Sequence, residues 1–159
     1  MNYELSTEQN ILKESAHKLL GKVCTSEYVR DMLEDDKGYT DDLWRQMQAV
    51  DWMSLLIPEE YGGSGFHFLD LAVLLTEFGY YRVPGPFFST VVLGGLTVLK
   101  AGDEAQKKDI LPDLADGIYT LGDLELHIQG NTYKLYRWIN ISIPLQLHLT
   151  PNQWWQAWV

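Results

Sequence analysis

The stretch Ile57-Pro58-Glu59-Glu60-Tyr61-Gly62-Gly63-Ser64-Gly65 separates two helix-like segments, and its reading decides the fold. Pro58 cannot continue a helix, and the glycines that follow supply the backbone freedom a tight turn needs. Upstream, residues 52–57 are short and apolar, and Pro58 ends them. Before them, Thr40 with Asp41 and Asp42 opens a helix, because side-chain oxygens and negative charge favour its N-terminal end. Leu43, Trp44, Met47 and Val50 are its expected buried stripe. Downstream, residues 68–78 are apolar on nearly all sides, which predicts a central, well-buried helix closed by Gly79. The Gly62-Gly63-Ser64-Gly65 run has two readings. Placed before a helix it could present amides to an anion, or it could be a structural turn. It lacks the Lys-Ser/Thr of a P-loop and a preceding βαβ context.

Further out, Ser6 and Gln9 have capping-box spacing, and Ile11, Leu12, Ala16, Leu19, Leu20 and Val23 follow one face at helical period, with Gly21 near the stop. A short helix is expected over Ser26–Glu34 with Tyr28, Val29, Met32 and Leu33 on its apolar side. Asp35-Asp36-Lys37-Gly38 is a solvated connection. Val83-Pro84-Gly85-Pro86 is a stiff corner. Residues 87–99 follow as a mostly apolar helix despite Gly94-Gly95, each costing about 1 kcal/mol relative to alanine. Such tolerance points to close backbone approach, either to a neighbouring helix or to a ligand. Asp103 and Gln106 repeat the capping-box spacing and open a short helix that Pro112 disrupts or ends.

The pattern changes near Leu121-Gly122. Ile118-Tyr119-Thr120-Leu121 and Leu124-Glu125-Leu126-His127-Ile128 are β-prone, Gly130-Asn131 signals a turn, and residues 139–149 are similar but broken by Pro144. Residues 123–159 hold two acids and two bases, so residues 1–122 carry the whole net charge of -10. Trp138, Trp154, Trp155 and Trp158, four of the six tryptophans, lie in that last segment. The expected organisation is therefore a helical domain over 1–121 and a tail over 122–159. The fold class is mainly α, five or six helices packed as a bundle followed by a short β-prone tail.

Length and composition narrow the function. One domain with a sizeable core fits 159 residues. A surface with 12 basic and 22 acidic residues repels phosphates, which sets aside nucleic acid and anionic membrane surfaces. Cys24, the single cysteine, excludes an intramolecular disulfide and reads as a small core or surface thiol. The N-terminus has no basic-then-apolar signal pattern and no stretch has the apolar length of a membrane span, so a cytoplasmic protein is expected. His17, His67, His127 and His148 show no metal-ligand spacing.

Three ordered motifs resemble the N-terminal helical domain of acyl-CoA dehydrogenases. They are Leu5-Ser6-Thr7-Glu8-Gln9, then Trp44 through Val50-Asp51-Trp52 with Leu56 to Gly65, then Gly102-Asp103-Glu104-Ala105-Gln106-Lys107-Lys108 with Leu111-Pro112 and Gly117. The resemblance covers roughly residues 3–121. It implies a flavoprotein of fatty acid metabolism that oxidises the α,β carbon–carbon bond of an acyl-CoA, with FAD as hydride acceptor, a glutamate base, and association with related subunits. In the family a β-domain and a C-terminal helical bundle follow. The β-domain typically brings a Thr-Glu-Pro motif; here Leu124-Glu125-Leu126 stands in its place, only Glu125 matches, and Leu124 has no hydroxyl. The break suggests a truncated or frameshifted gene product, testable by reading the encoding DNA in the other frames beyond codon 121. The expectation is a fragment with no assignable catalytic residue, inactive alone. The runner-up is a non-catalytic helical interaction module.

Pro86, Ser89, Thr90 and Leu93 fall at i, i+3, i+4 and i+7, one face of a helix. In the family the corresponding helix lines the acyl cavity, so these four are the candidate substrate-binding residues. The alternative is a helix packed into a purely structural core. The tryptophan-rich tail likewise has two readings, docking on hydrophobic surface left bare or out-of-frame sequence with no selected role.

Overall fold

The computed structural model describes residues 4–118 and the backbone of three segments beyond them, 124–129, 132–137 and 146–149. It is mainly α. The helices are α1 (Thr7–Val23), α2 (Ser26–Glu34), α3 (Asp41–Gln48), α4 (Phe68–Tyr81), α5 (Leu96–Ala101) and α6 (Glu104–Ala115), with a 3₁₀ turn at Glu59–Tyr61 and a π-helix at Phe88–Gly95. Strands β1 (Leu124–Gln129), β2 (Thr132–Arg137) and β3 (Gln146–Leu149) form an antiparallel sheet in that order. Leu124 pairs with Arg137 and Gln129 with Thr132, and Tyr133 pairs with Leu149. The Leu121-Gly122 boundary, the Gly130-Asn131 turn, Pro144 and the four tail tryptophans lie outside the described residues.

The chain divides into two compact units, Met1–Gln46 with Phe66–Gly85, and Met47–Gly65 with Pro86–Val159. In the first, α1 packs against α4. Ser6 Oγ accepts from the Gln9 amide and Gln9 returns the bond to the Ser6 amide, so the expected capping box forms. Thr25 caps α2, and Thr40 caps α3 by accepting from the Leu43 amide. Ala16, Leu20, Cys24, Leu43, Trp44, Leu71, Leu74 and Phe78 are buried. Burial pushes the Cys24 thiol up to about 11, which keeps it protonated and unreactive.

The structure departs from the sequence pattern at several positions. Helix α4 is not buried all round: Phe68, Leu69 and Tyr80 are exposed. Gly79 does not close it. Two more residues follow, and Arg82 ends the helix in the left-handed region at φ 52°, its amide donating to the carbonyls of Gly79 and Phe78. Gly21 lies inside α1, which runs on to Val23. A Cβ there would come within 2.9 Å of the Tyr81 hydroxyl, so glycine serves packing rather than termination. On the expected apolar faces, Ile11, Leu33 and Val50 are exposed.

The second unit has a core of Ile57, Tyr61, Val98, Ala101, Ile110, Leu111, Leu114 and Ala115. Helix α6 packs against the 3₁₀ turn, the π-helix and α5. The Asp103–Gln106 capping box forms in both directions. Pro112 does not end α6, which continues to Ala115. Proline forfeits one intrahelical bond, but Ile110, Leu111, Leu114 and Ala115 are buried on both sides of it, and that burial holds the last turn in place. Residues 87–99 form a helix, but its first part is π-wound rather than α.

Candidate functional site

The turn at residues 57–65 consumes its own amides. Gly62 and Gly63 donate to the carbonyls of Glu59 and Pro58, Ser64 to Ser54, and Gly65 to Ile57. No N–H of the glycine run is left to face an anion, so the structural reading holds. Gly62 at φ 82° and Gly65 at φ 66° adopt a left-handed backbone, and a Cβ at Gly63 would overlap the Ile57 carbonyl. Ser54 and Ser64 hydroxyls meet at 2.9 Å and close the turn. Tyr61, buried, donates its hydroxyl to Glu104 at 2.9 Å. The Glu104 carboxylate raises the phenol to about 12, and Lys107 and Tyr61 together hold Glu104 below the usual carboxylate range. The motif thus fastens residues 57–65 to the start of α6.

The four candidate acyl-wall residues do not share one environment. Pro86, Ser89 and Leu93 are half-buried, whereas Thr90 is fully buried. The π winding explains the divergence: each turn takes more residues than an α turn, so the i, i+3, i+4, i+7 face drifts. Ser89 Oγ donates to the Pro86 carbonyl at 3.0 Å, and the Thr90 amide donates to the same oxygen at 2.8 Å. Phe87, Val91 and Val92 are buried, and Phe88 is exposed. At the far end, Thr97 Oγ1 donates to the Leu93 carbonyl at 2.6 Å.

Sequence reasoning missed a polar seam between α1 and α4. Asp70, buried, accepts from Gln9 Nε2 at 2.9 Å and from the His67 amide at 2.8 Å. Glu77, 5% exposed, meets His17 Nδ1 at 2.9 Å. The Tyr81 ring stands edge-on to His17, with ring centroids 5.3 Å apart, and partial burial raises its phenol. The overlooked signal was two acids seven residues apart on an otherwise apolar helix. Among the described residues no three His, Cys, Asp or Glu side chains gather as a metal site, and no helix is long and apolar enough to cross a membrane.

A model of the family described as "Acyl-CoA dehydrogenase, N-terminal domain" matches residues 6–118. Acyl-CoA dehydrogenase IpdE2 of Mycolicibacterium smegmatis is 36% identical over 114 residues, covering 71% of this chain and 35% of the relative. The ChsE4-ChsE5 complex from Mycobacterium tuberculosis shares the fold with a TM-score of 0.71 at 21% identity, over 86% of this chain and 40% of that one. The glutaryl-coenzyme A dehydrogenase glutaryl-CoA complex gives a TM-score of 0.63 at 22% identity, over 87% of this chain and 40% of that one. The chain spans about a third of the length of the curated relatives it matches. The matched region takes in the Ser6 cap, the fastened glycine turn and the whole of α6, and on that match the chain belongs to the acyl-CoA dehydrogenase family.

Proposed function

We propose that this chain is the acyl-wall portion of an FAD-dependent acyl-CoA dehydrogenase and has no turnover of its own. The observation that carries the reading is the family match over residues 6–118, which contains the segment from Pro86 to Leu93. Pro86, Ser89 and Leu93 flank the acyl chain in this reading, with Thr90 packed behind them. The glutaryl-CoA dehydrogenase of the same fold was solved with its acyl-CoA, which supports that ligand class. In the whole family enzyme FAD would supply the hydride acceptor for the β-carbon and a glutamate the base for the α-proton.

The described residues do not fit a flavin. The Gly62–Gly65 amides are all spent on the chain's own carbonyls, and Leu124 offers no hydroxyl where the family has threonine. Residues 122–159 stand as a remnant of the β-domain start or a replacement for it. The test is an absorbance spectrum of the purified chain after mixing with FAD and removing free cofactor. The expected result is no retained flavin and no reduction by acyl-CoA; stoichiometric yellow protein overturns the reading.

The exposed apolar side of α4 favours a second reading, association with a related subunit. Phe68, Leu69 and Tyr80 on α4 are 56%, 68% and 69% exposed, and Phe66 just before the helix is 42% exposed. The ChsE4-ChsE5 structure, a complex with a chain of this fold, supports it. Sedimentation of the purified chain alone and with a full-length family member distinguishes the two readings.

A further inference from the structure

Gly95 is a glycine that its surroundings do not require. Its backbone sits at φ -58° and ψ -49°, ordinary right-handed helix, so conformation does not demand it. A Cβ built there would meet Leu114 Cδ2 and the Thr90 carbonyl at 3.7 Å, ordinary van der Waals contact. Close approach of a neighbouring helix, expected from the sequence, is therefore not the reason at this position. Nor does that Cβ open toward solvent or ligand, because Gly95 is buried against Leu114 of the α6 core. What remains is the effect of glycine on the winding itself.

The hydrogen-bond ladder around Gly95 is in transition between two windings. Phe88–Gly95 is π-wound and α5 begins at Leu96. The Leu96 amide is shared between the carbonyls of Leu93 and Val92. The Leu93 carbonyl also accepts from the Thr97 hydroxyl, so this acceptor is shared by two donors at the junction. A π-helix of eight residues is long for a geometry that normally survives as a single turn. A residue of low helix propensity at its junction lowers the cost of leaving it.

We propose that Phe88–Gly95 is a compliant segment that rewinds between π and α turns while the α5–α6 core stays folded, with Gly95 setting its compliance. Rewinding turns Ser89 and Leu93 relative to Leu96, so the wall changes shape without the domain opening. The inference rests on the acyl-wall reading for its use. Its test needs no ligand, so the two fail separately.

The experiment is native-state amide hydrogen exchange on the full chain and on Gly95→Ala, with thermal unfolding of both. In the wild type, the Val91, Val92 and Leu96 amides are expected to exchange at least about tenfold faster than those of Leu111 and Leu114. Gly95→Ala is expected to slow the first set about fivefold, to leave the second less affected, and to raise Tm. Equal protection of the two sets in the wild type overturns the proposal. So does slowing spread evenly over both, or a variant that melts earlier or fails to fold. Gly102→Ala is the contrasting control, since a Cβ there would run into the Val98 carbonyl and is expected to lower Tm.

Discussion

Tyr61 and His17 show how single side chains hold each unit. The Tyr61 phenol is raised above its ordinary value of 10 to about 12, so the folded state favours its protonated form. Its contribution is complete below pH 10 and is lost as pH rises from about 10 through about 12. Urea unfolding at pH 8 and pH 11 is expected to show a smaller loss in Tyr61→Phe than in the wild type, the remainder coming from groups such as Cys24 and Tyr81 that are also raised, along with a lower midpoint for the variant at pH 8. His17 is the partner of a nearly inaccessible carboxylate, and removing it leaves Glu77 without that bond. His17→Ala is expected to cost about 1–3 kcal/mol, and Glu77→Gln less, because a neutral amide tolerates burial better than an unpaired charge. Urea midpoints of the two variants check this. Neither pair was legible in the sequence, since Gln9, His17, Asp70 and Glu77 come together only once α1 and α4 are packed. The caps were legible, because Ser6–Gln9, Thr40 and Asp103–Gln106 act within four residues.

Among elements, the glycine turn and α6 carry distinct expectations. Gly62 and Gly63 are adjacent but differ in what they need. Gly62 has open space around a Cβ and a left-handed backbone, so Gly62→Ala is expected to cost about 1–2 kcal/mol of strain. Gly63→Ala drives a methyl into the Ile57 carbonyl, a backbone obstacle, and is expected to cost about 3 kcal/mol. Thermal unfolding should rank the two in that order. In α6, Leu111 is fully buried in the Ile57–Tyr61–Val98 core, and Leu111→Ala is expected to cost about 2–5 kcal/mol by the same measurement. Helix existence was legible from period and caps. Winding was not: α and π turns draw on the same apolar composition, so residues 88–95 gave no sign of their hydrogen-bond spacing, nor of Thr90 being fully buried where Pro86, Ser89 and Leu93 are half-buried. Pro112 misled for a related reason, because the burial of Leu114 and Ala115 beyond it is a tertiary fact.

At the scale of the molecule, family membership was readable because its motifs are local and ordered along the chain, and the mainly α fold followed from them. The exposed side of α4 was not readable, since an all-round apolar helix looks the same whether a neighbour covers it or not. Unit 1 is assembled from two separated stretches, Met1–Gln46 and Phe66–Gly85, with Met47–Gly65 belonging to the other unit. The Gln9–Asp70 and His17–Glu77 bonds each join residues about sixty positions apart and run in the same order along both helices. During synthesis, therefore, α1 emerges long before the carboxylates that receive it, and it waits with Ala16 and Leu20 uncovered while the residues of the second unit pass. A nascent chain halted at Gly65 holds neither unit in finished form, and one halted at Gly85 holds only the first.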